Sequence, residues 1–176
     1  MRRSPRRSSG WTGRPEGSMD RFGFRPVTRA DLPMLADWLR QAEVARWWRG
    51  AEKELAGIEE DLDEPAMRQW LALMDGAPIA YAQFYPAHHW GAPHFADLPA
   101  EALAIDCFSG PGGFGHGGLW LRALADTLLA EAPILVIDPE PDNLRAVRAY
   151  EKAGFRGEEL RPSEDGTLAR VMTRHR

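Results

Sequence analysis

One segment constrains this chain more than any other: Gly110-Pro-Gly-Gly-Phe-Gly-His-Gly-Gly118. Before it stands the apolar stretch Ala102–Phe108, and after it Leu121, Leu124, Ala125 and Leu128 fall on one helical face. The short, wholly apolar Ile134–Ile137 then reads as a strand buried within a sheet. Strand, glycine loop, helix and strand across 102–138 predict one parallel crossover. Glycines at such a junction let backbone approach a ligand with no Cβ in the way. The following helix start presents unpaired N–H groups and a positive dipole end, so a pyrophosphate is the natural guest.

The remaining segments surround this unit with antiparallel elements. Residues 21–27 predict a first strand, and Thr28-Arg-Ala-Asp31 predicts a capping-box helix start with Asp at the fourth position. Leu32, Leu35, Trp38 and Leu39 share a helical face, and an acidic helix is expected around 51–62. Two apolar runs, Ala66–Met74 and Ile79–Tyr85, flank Asp75-Gly76 and predict a hairpin. A loop rich in Pro, His and Ala runs to residue 100. After Ile137, Asp142 is expected to cap a helix through Ala153, with Gly154 ending it. Phe155–Leu160 and Thr167–Met172 predict a last hairpin, whose edge offers a surface for a homodimer as readily as for a monomer. The order β-α-α-β-β-β-α-β-α-β-β is mixed α+β.

Charge is unevenly placed. Five arginines against Glu16 give residues 1–18 a charge of +4, so the rest carries −8 of a net −4. The composition of this tail predicts a disordered basic segment over 1–18, with no core and no function, and one domain over 19–176. Met19 is an alternative start. The tail lacks the apolar region of a secretory signal, and no run approaches the ~20 apolar residues of a membrane span. The acidic body argues against nucleic acid and favours a cationic small molecule. Cys107 is the single cysteine, so no intrachain disulfide forms and a reducing, cytoplasmic setting is expected. His88, His89 and His94 lack a supporting ligand cluster, so no metal is expected, and they read as loop or acceptor-pocket residues.

The glycine run admits two chemistries. Gly113-x-Gly115-x-x-Gly118, with Asp138 ending the next strand, matches the dinucleotide fingerprint. That motif opens a βαβ domain elsewhere, whereas here the strands before it read as antiparallel and the chain ends in a hairpin. Alternatively, Gly115-x-Gly117 is a pyrophosphate loop that works with Asn143-Leu-Arg-Ala-Val-Arg-Ala-Tyr-Glu-Lys-Ala-Gly-Phe155. This pair resembles the GNAT superfamily of acetyl-CoA-dependent N-acyltransferases. Where that family's loop usually begins with Arg or Gln, this chain has Gly112.

Further segments narrow the resemblance: Ala45-Arg-Trp-Trp48, Pro78-Ile-Ala-Tyr-Ala-Gln-Phe-Tyr85, Ala104-Ile-Asp106 and Ile137-Asp-Pro-Glu-Pro-Asp-Asn143. They look like the aminoglycoside 6′-N-acetyltransferases over most of residues 21–173. The resemblance implies a mixed, mostly antiparallel sheet of about six to seven strands flanked by about four helices. It also implies acetyl transfer to the amine of a cationic small molecule by direct attack on the thioester, with acetyl-CoA as cofactor. A siderophore precursor, a polyamine and a protein amine are alternative acceptors, and a non-catalytic CoA or dinucleotide binder is a further reading. Loop 86–101 departs from the family pattern, so its acceptor contacts do not carry over.

Residue roles follow from the same resemblance. Asp106 is the candidate base, or else an anchor for the cation. Tyr150 is the candidate proton donor to the leaving thiolate, with packing on the helix face as its alternative. Cys107, Phe108, Ser109, Gly113, Phe114, Gly115, His116, Gly117, Gly118, Asn143, Ala146, Tyr150 and Lys152 are implied to hold the cofactor. N–H groups near Cys107–Ser109 are placed to meet a developing oxyanion. Trp47, Trp48, Tyr81, Gln83, Asp106, Asp138 and Asp165 are implied on the acceptor side. Asp138 and Asp165 equally suit turn chemistry. The Cys107 side chain reads as a small buried residue rather than a nucleophile.

Overall fold

The computed structural model describes residues 21–176; the predicted basic tail, 1–18, lies outside them. A single sheet runs through the described chain. Its strands are β1 (Phe22–Pro26), β2 (Arg68–Met74), β3 (Ala77–Pro86), β4 (Leu103–Ser109), β5 (Ile134–Ile137), β6 (Arg156–Pro162) and β7 (Leu168–His175). They lie in the order β1-β2-β3-β4-β5-β7-β6, and only β4 and β5 pair in parallel. The sheet is thus mixed, mostly antiparallel and seven-stranded. The predicted hairpin forms on Asp75 and Gly76, whose φ angles of 51° and 87° suit a tight turn matched to strand twist.

The helices are α1 (Leu32–Leu39), α2 (Ala42–Ala45), α3 (Ala51–Asp61), α4 (Gly117–Leu128) and α5 (Leu144–Lys152). That is one more than sequence predicts, because α2 is too short to carry a periodic signal. At the start of α1 the capping box forms as predicted: Asp31 accepts from the Thr28 amide at 2.8 Å and is gripped by Arg25 at 2.7 and 2.8 Å. One cap differs from expectation. Asn143, not Asp142, caps α5, its Oδ1 accepting the Ala146 N–H at 3.1 Å. Asp142 sits one residue too early in the turn to reach that amide. No helix among the described residues is long and apolar enough to cross a membrane.

Alternation along β3 and β4 divides the core. Ala80, Ala82, Phe84, Ile105 and Cys107 face α4 and α5, packing with Trp120, Leu124 and Phe155. On the other face, Tyr81 and Phe108 join Leu35, Leu39 and Ile58 from α1 and α3. Further along that face, Ala104 and Tyr85 join Phe95 and Leu98 of loop 86–101. Gln83 and its register partner Asp106 fall between these two clusters, where neither covers the sheet. This uncovered stretch positions the site.

Candidate active site

Two cavities open from the gap. The larger, about 650 Å³, runs from Trp47 and Trp48 past β4 to the glycine loop and α5. The smaller, about 490 Å³, lies under loop 86–101 and the β6–β7 turn. Gln83, Asp106 and Asp138 line both. The cavities are therefore two lobes of one cleft, joined at a carboxylate.

The larger lobe is built mainly from backbone. β4 pairs with β5 only at Leu103↔Leu135 and Ala104↔Val136, after which the two strands part. The Gly110 N–H donates to Ile79 and the Ala87 N–H to Ala102, both belonging to the β3–β4 ladder. Antiparallel alternation then turns the amides of Cys107 and Ser109 away from β3 and into the gap beside β5. At the loop's end, the amides of Gly115, Gly117 and Gly118 lack backbone partners within the described chain. These N–H groups, with Arg145, Arg148 and Lys152 of α5 lining the same lobe, fit an extended anionic ligand bearing phosphates. The three cations recur at helical spacing, so they share a face that the sequence alone displays.

The glycines divide their work. A Cβ on Gly110 would stand 2.4 Å from the Trp38 ring, and one on Gly113 would stand 2.3 Å from the Ile79 carbonyl. Those two are required by packing against the protein rather than by a ligand. Gly115 alone in the run has a positive φ, 85°, with open space beside it. The run follows β4 in the middle of the sheet and does not open a βαβ domain, so the dinucleotide reading gives way.

At the junction, the Tyr81 hydroxyl donates to Gln83 Oε1 at 2.7 Å, and Gln83 Nε2 donates to Asp106 Oδ2 at 2.9 Å. Burial raises the Asp106 pKa to about 7, assisted by the nearby negative charge of Asp138. A carboxylate so tuned accepts a proton near neutral pH. Cys107 and Tyr150 lie on the opposite face of β4, sulfur and hydroxyl 3.7 Å apart. Burial pushes the Cys107 thiol up to about 12 and the Tyr150 hydroxyl well above its ordinary value. Such a thiol is a poor nucleophile, whereas a tyrosine held protonated is a proton donor.

The smaller lobe is built from side chains. Asp61, Asp106, Asp138, Glu164 and Asp165 line it, and no Lys or Arg does. Asp165 Oδ1 is occupied by its own turn, taking bonds from Ser163 and from the amide and hydroxyl of Thr167. Those bonds hold its pKa at about 2. Asp138 is paired with His94.

Most of the residues singled out in the sequence line one lobe or the other, but two do not. Tyr81 is wholly buried under Trp48 and Phe108, stacked on the latter at 5.1 Å. It reaches the cleft only through Gln83, because the α1–α3 cluster covers its ring. The His116 side chain does not line the cleft; its carbonyl instead accepts the Leu119 and Trp120 amides at the start of α4. Trp47 and Trp48 border the larger lobe rather than the acidic one. Sequence reasoning missed Arg145 and Arg148 and left Tyr85 and Trp90 unassigned; His94, read from the sequence as a loop or acceptor-pocket residue, lines the smaller lobe with them.

A family model described as an acetyltransferase (GNAT) domain matches residues 27–161, most of the chain. The chain belongs to the GNAT acetyltransferase family. It is 33% identical to the aminoglycoside N(6′)-acetyltransferase type 1 of Klebsiella pneumoniae, covering 89% of this chain and 85% of that protein. Among solved structures, AAC(6′)-Ib in complex with paromomycin and acetyl-CoA aligns at 32% identity and a TM-score of 0.74, over 88% of this chain and 93% of that one. AAC(6′)-Ib with ribostamycin and coenzyme A aligns at a TM-score of 0.75 and the same identity, 32%, over 88% and 93% of the two chains. In this GNAT domain the parted strands and the glycine loop thus occupy a fold shared with those complexes.

Proposed function

We propose that the chain transfers the acetyl group of acetyl-CoA to an aminoglycoside amine, the 6′-amine, by direct attack on the thioester. The observation that carries this reading is the junction. A lobe whose glycine-loop end gathers N–H donors and the cations of α5 meets, at Asp106, a lobe lined by carboxylates and by no Lys or Arg. Acetyl-CoA supplies the activated acetyl group. Gly115, Gly117 and Gly118 hold its phosphates through backbone N–H groups, with Arg145, Arg148 and Lys152 adding charge. Asn143, Ala146 and the parted edge of β4 receive the extended arm. The Cys107 and Ser109 amides offer donors to negative charge developing on the carbonyl oxygen.

On the acidic side, Asp138 and Asp165 anchor ammonium groups while Asp106 takes a proton from the attacking nitrogen. An alkyl ammonium has a pKa near ~10, so a carboxylate raised toward neutrality assists the release that an ordinary one would not. Tyr150, held protonated, donates to the departing sulfur. The single cysteine supports a cytoplasmic setting, and residues 19–176 form the acetyltransferase domain.

The test is thiol release with acetyl-CoA and kanamycin or tobramycin, followed by NMR location of the acetyl group. Turnover with acetylation at the 6′-nitrogen is expected. No turnover on any aminoglycoside, with activity on another amine, would remove this substrate class and leave the GNAT chemistry.

A further inference from the structure

We infer that His94 is a positioning residue that orients Asp138 toward the acceptor, an inference that rests on the acidic lobe being the acceptor pocket. His94 belongs to loop 86–101, where this chain departs from the aminoglycoside enzymes it resembles. It sits in a single helical turn, Pro93–Phe95, only 7% exposed, with its ring 4.2 Å from that of Phe95. Nε2 lies 2.8 Å from Asp138 Oδ2. Nδ1 is buried and has no partner within the described chain.

That asymmetry assigns the tautomer. A buried N–H without an acceptor is rarer and costlier than a buried lone pair without a donor. The hydrogen therefore sits on Nε2 and is donated to Asp138, while Nδ1 stays bare. Arg161 fixes the turn from behind, its Nη1 donating to the His94 carbonyl at 3.0 Å and also gripping Asp97. Asp138 is thus held by one oxygen from a rigid donor, leaving the other for a cation in the lobe it shares with Asp106. The ligand is then an amine that places one ammonium group on Asp138 while a second nitrogen meets Asp106.

Steady-state kinetics on wild type, His94→Gln and His94→Phe test the assignment, with tobramycin and acetyl-CoA varied in turn. The glutamine amide N–H replaces Nε2–H, so its tobramycin KM stays within about threefold of wild type. Phenylalanine keeps an aromatic ring, somewhat larger, but loses a hydrogen bond to a charged group, raising tobramycin KM about tenfold. The KM for acetyl-CoA moves in neither. Equal losses in both variants, no loss in either, or a matching rise in acetyl-CoA KM would overturn the role. Imidazole ¹⁵N NMR on wild type gives a reading independent of turnover. A bare Nδ1 and protonated Nε2 at His94 are expected, and the opposite tautomer overturns the pairing. Absence of turnover on every aminoglycoside would count against the proposed substrate alone, since the NMR arm still decides the His94–Asp138 bond.

Discussion

The two lobes of the cleft solve opposite electrostatic problems with different materials. The larger uses amides of β4 and of the glycine loop, contiguous in sequence and backed by α5. The smaller uses side chains drawn from residues as far apart as Asp61 and Asp165. Backbone donors are fixed once the strand and helix form, whereas the carboxylates depend on loops packing correctly. The lobe proposed to hold phosphate can therefore tolerate side-chain change, while the one proposed for the acceptor is altered by single substitutions. The departure of loop 86–101 from the family pattern falls on the second lobe.

The sharpest test of that contrast is Asp106→Asn, at the junction. Turnover is expected to fall about 10²-fold or more, the scale of lost general-base assistance, while thermal stabilisation by CoA stays unchanged. Loss through acceptor KM with intact kcat would instead make Asp106 an anchor. In wild type, kcat/KM should rise with pH through about 7 as Asp106 ionises.

Next in size is the rigidity of the glycine loop. Gly113→Ala places a Cβ 2.3 Å from the Ile79 carbonyl and should cost about 1–3 kcal/mol, read from the denaturant midpoint. Gly115→Ala, at φ 85° with open space, should cost less, about 1–2 kcal/mol. Equal costs would erase the distinction between packing and turn glycines.

A smaller effect separates chemistry from stability at the same residue. The Asp106 pKa is about 7 when folded and ~3.9 unfolded, so ionising it disfavours the folded state increasingly from pH ~4 to ~7. Asp106→Asn keeps an acceptor for Gln83 and removes that penalty. Its gain in Tm over wild type should therefore be larger at pH 8 than at pH 5. Smallest of all is Cys107→Ala, which removes a side chain facing α5 and leaves the strand's amides in place. Turnover should drop no more than about threefold, since conservative loss of a buried thiol removes little packing. Its abolition would break the direct-transfer reading.

Much of this was legible before any coordinates. The Asp75-Gly76 turn, the Thr28–Asp31 cap, the β4–α4–β5 crossover and the Gly154 stop depend on neighbours a few residues apart, and local chemistry writes them in the chain. The polar pair Gln83 and Asp106, set in otherwise apolar strands, was likewise visible. The sequence points to Asp142 as the cap where Asn143 serves, because one residue of offset cannot be seen without dihedral angles. Strand alternation puts Tyr81 on the cleft face but cannot tell which stretch of that face a distant cluster will cover.

Periodicity, glycine placement and capping within short windows specify the mixed fold and the strand, glycine loop and helix proposed to hold phosphate. Where the sheet stays uncovered, and so which carboxylates share a pocket, follows from how distant segments pack. The same packing brings His94 to Asp138, 44 residues away. Desolvation and long-range charge, which set the character of Asp106, depend on packing between segments that no local pattern relates.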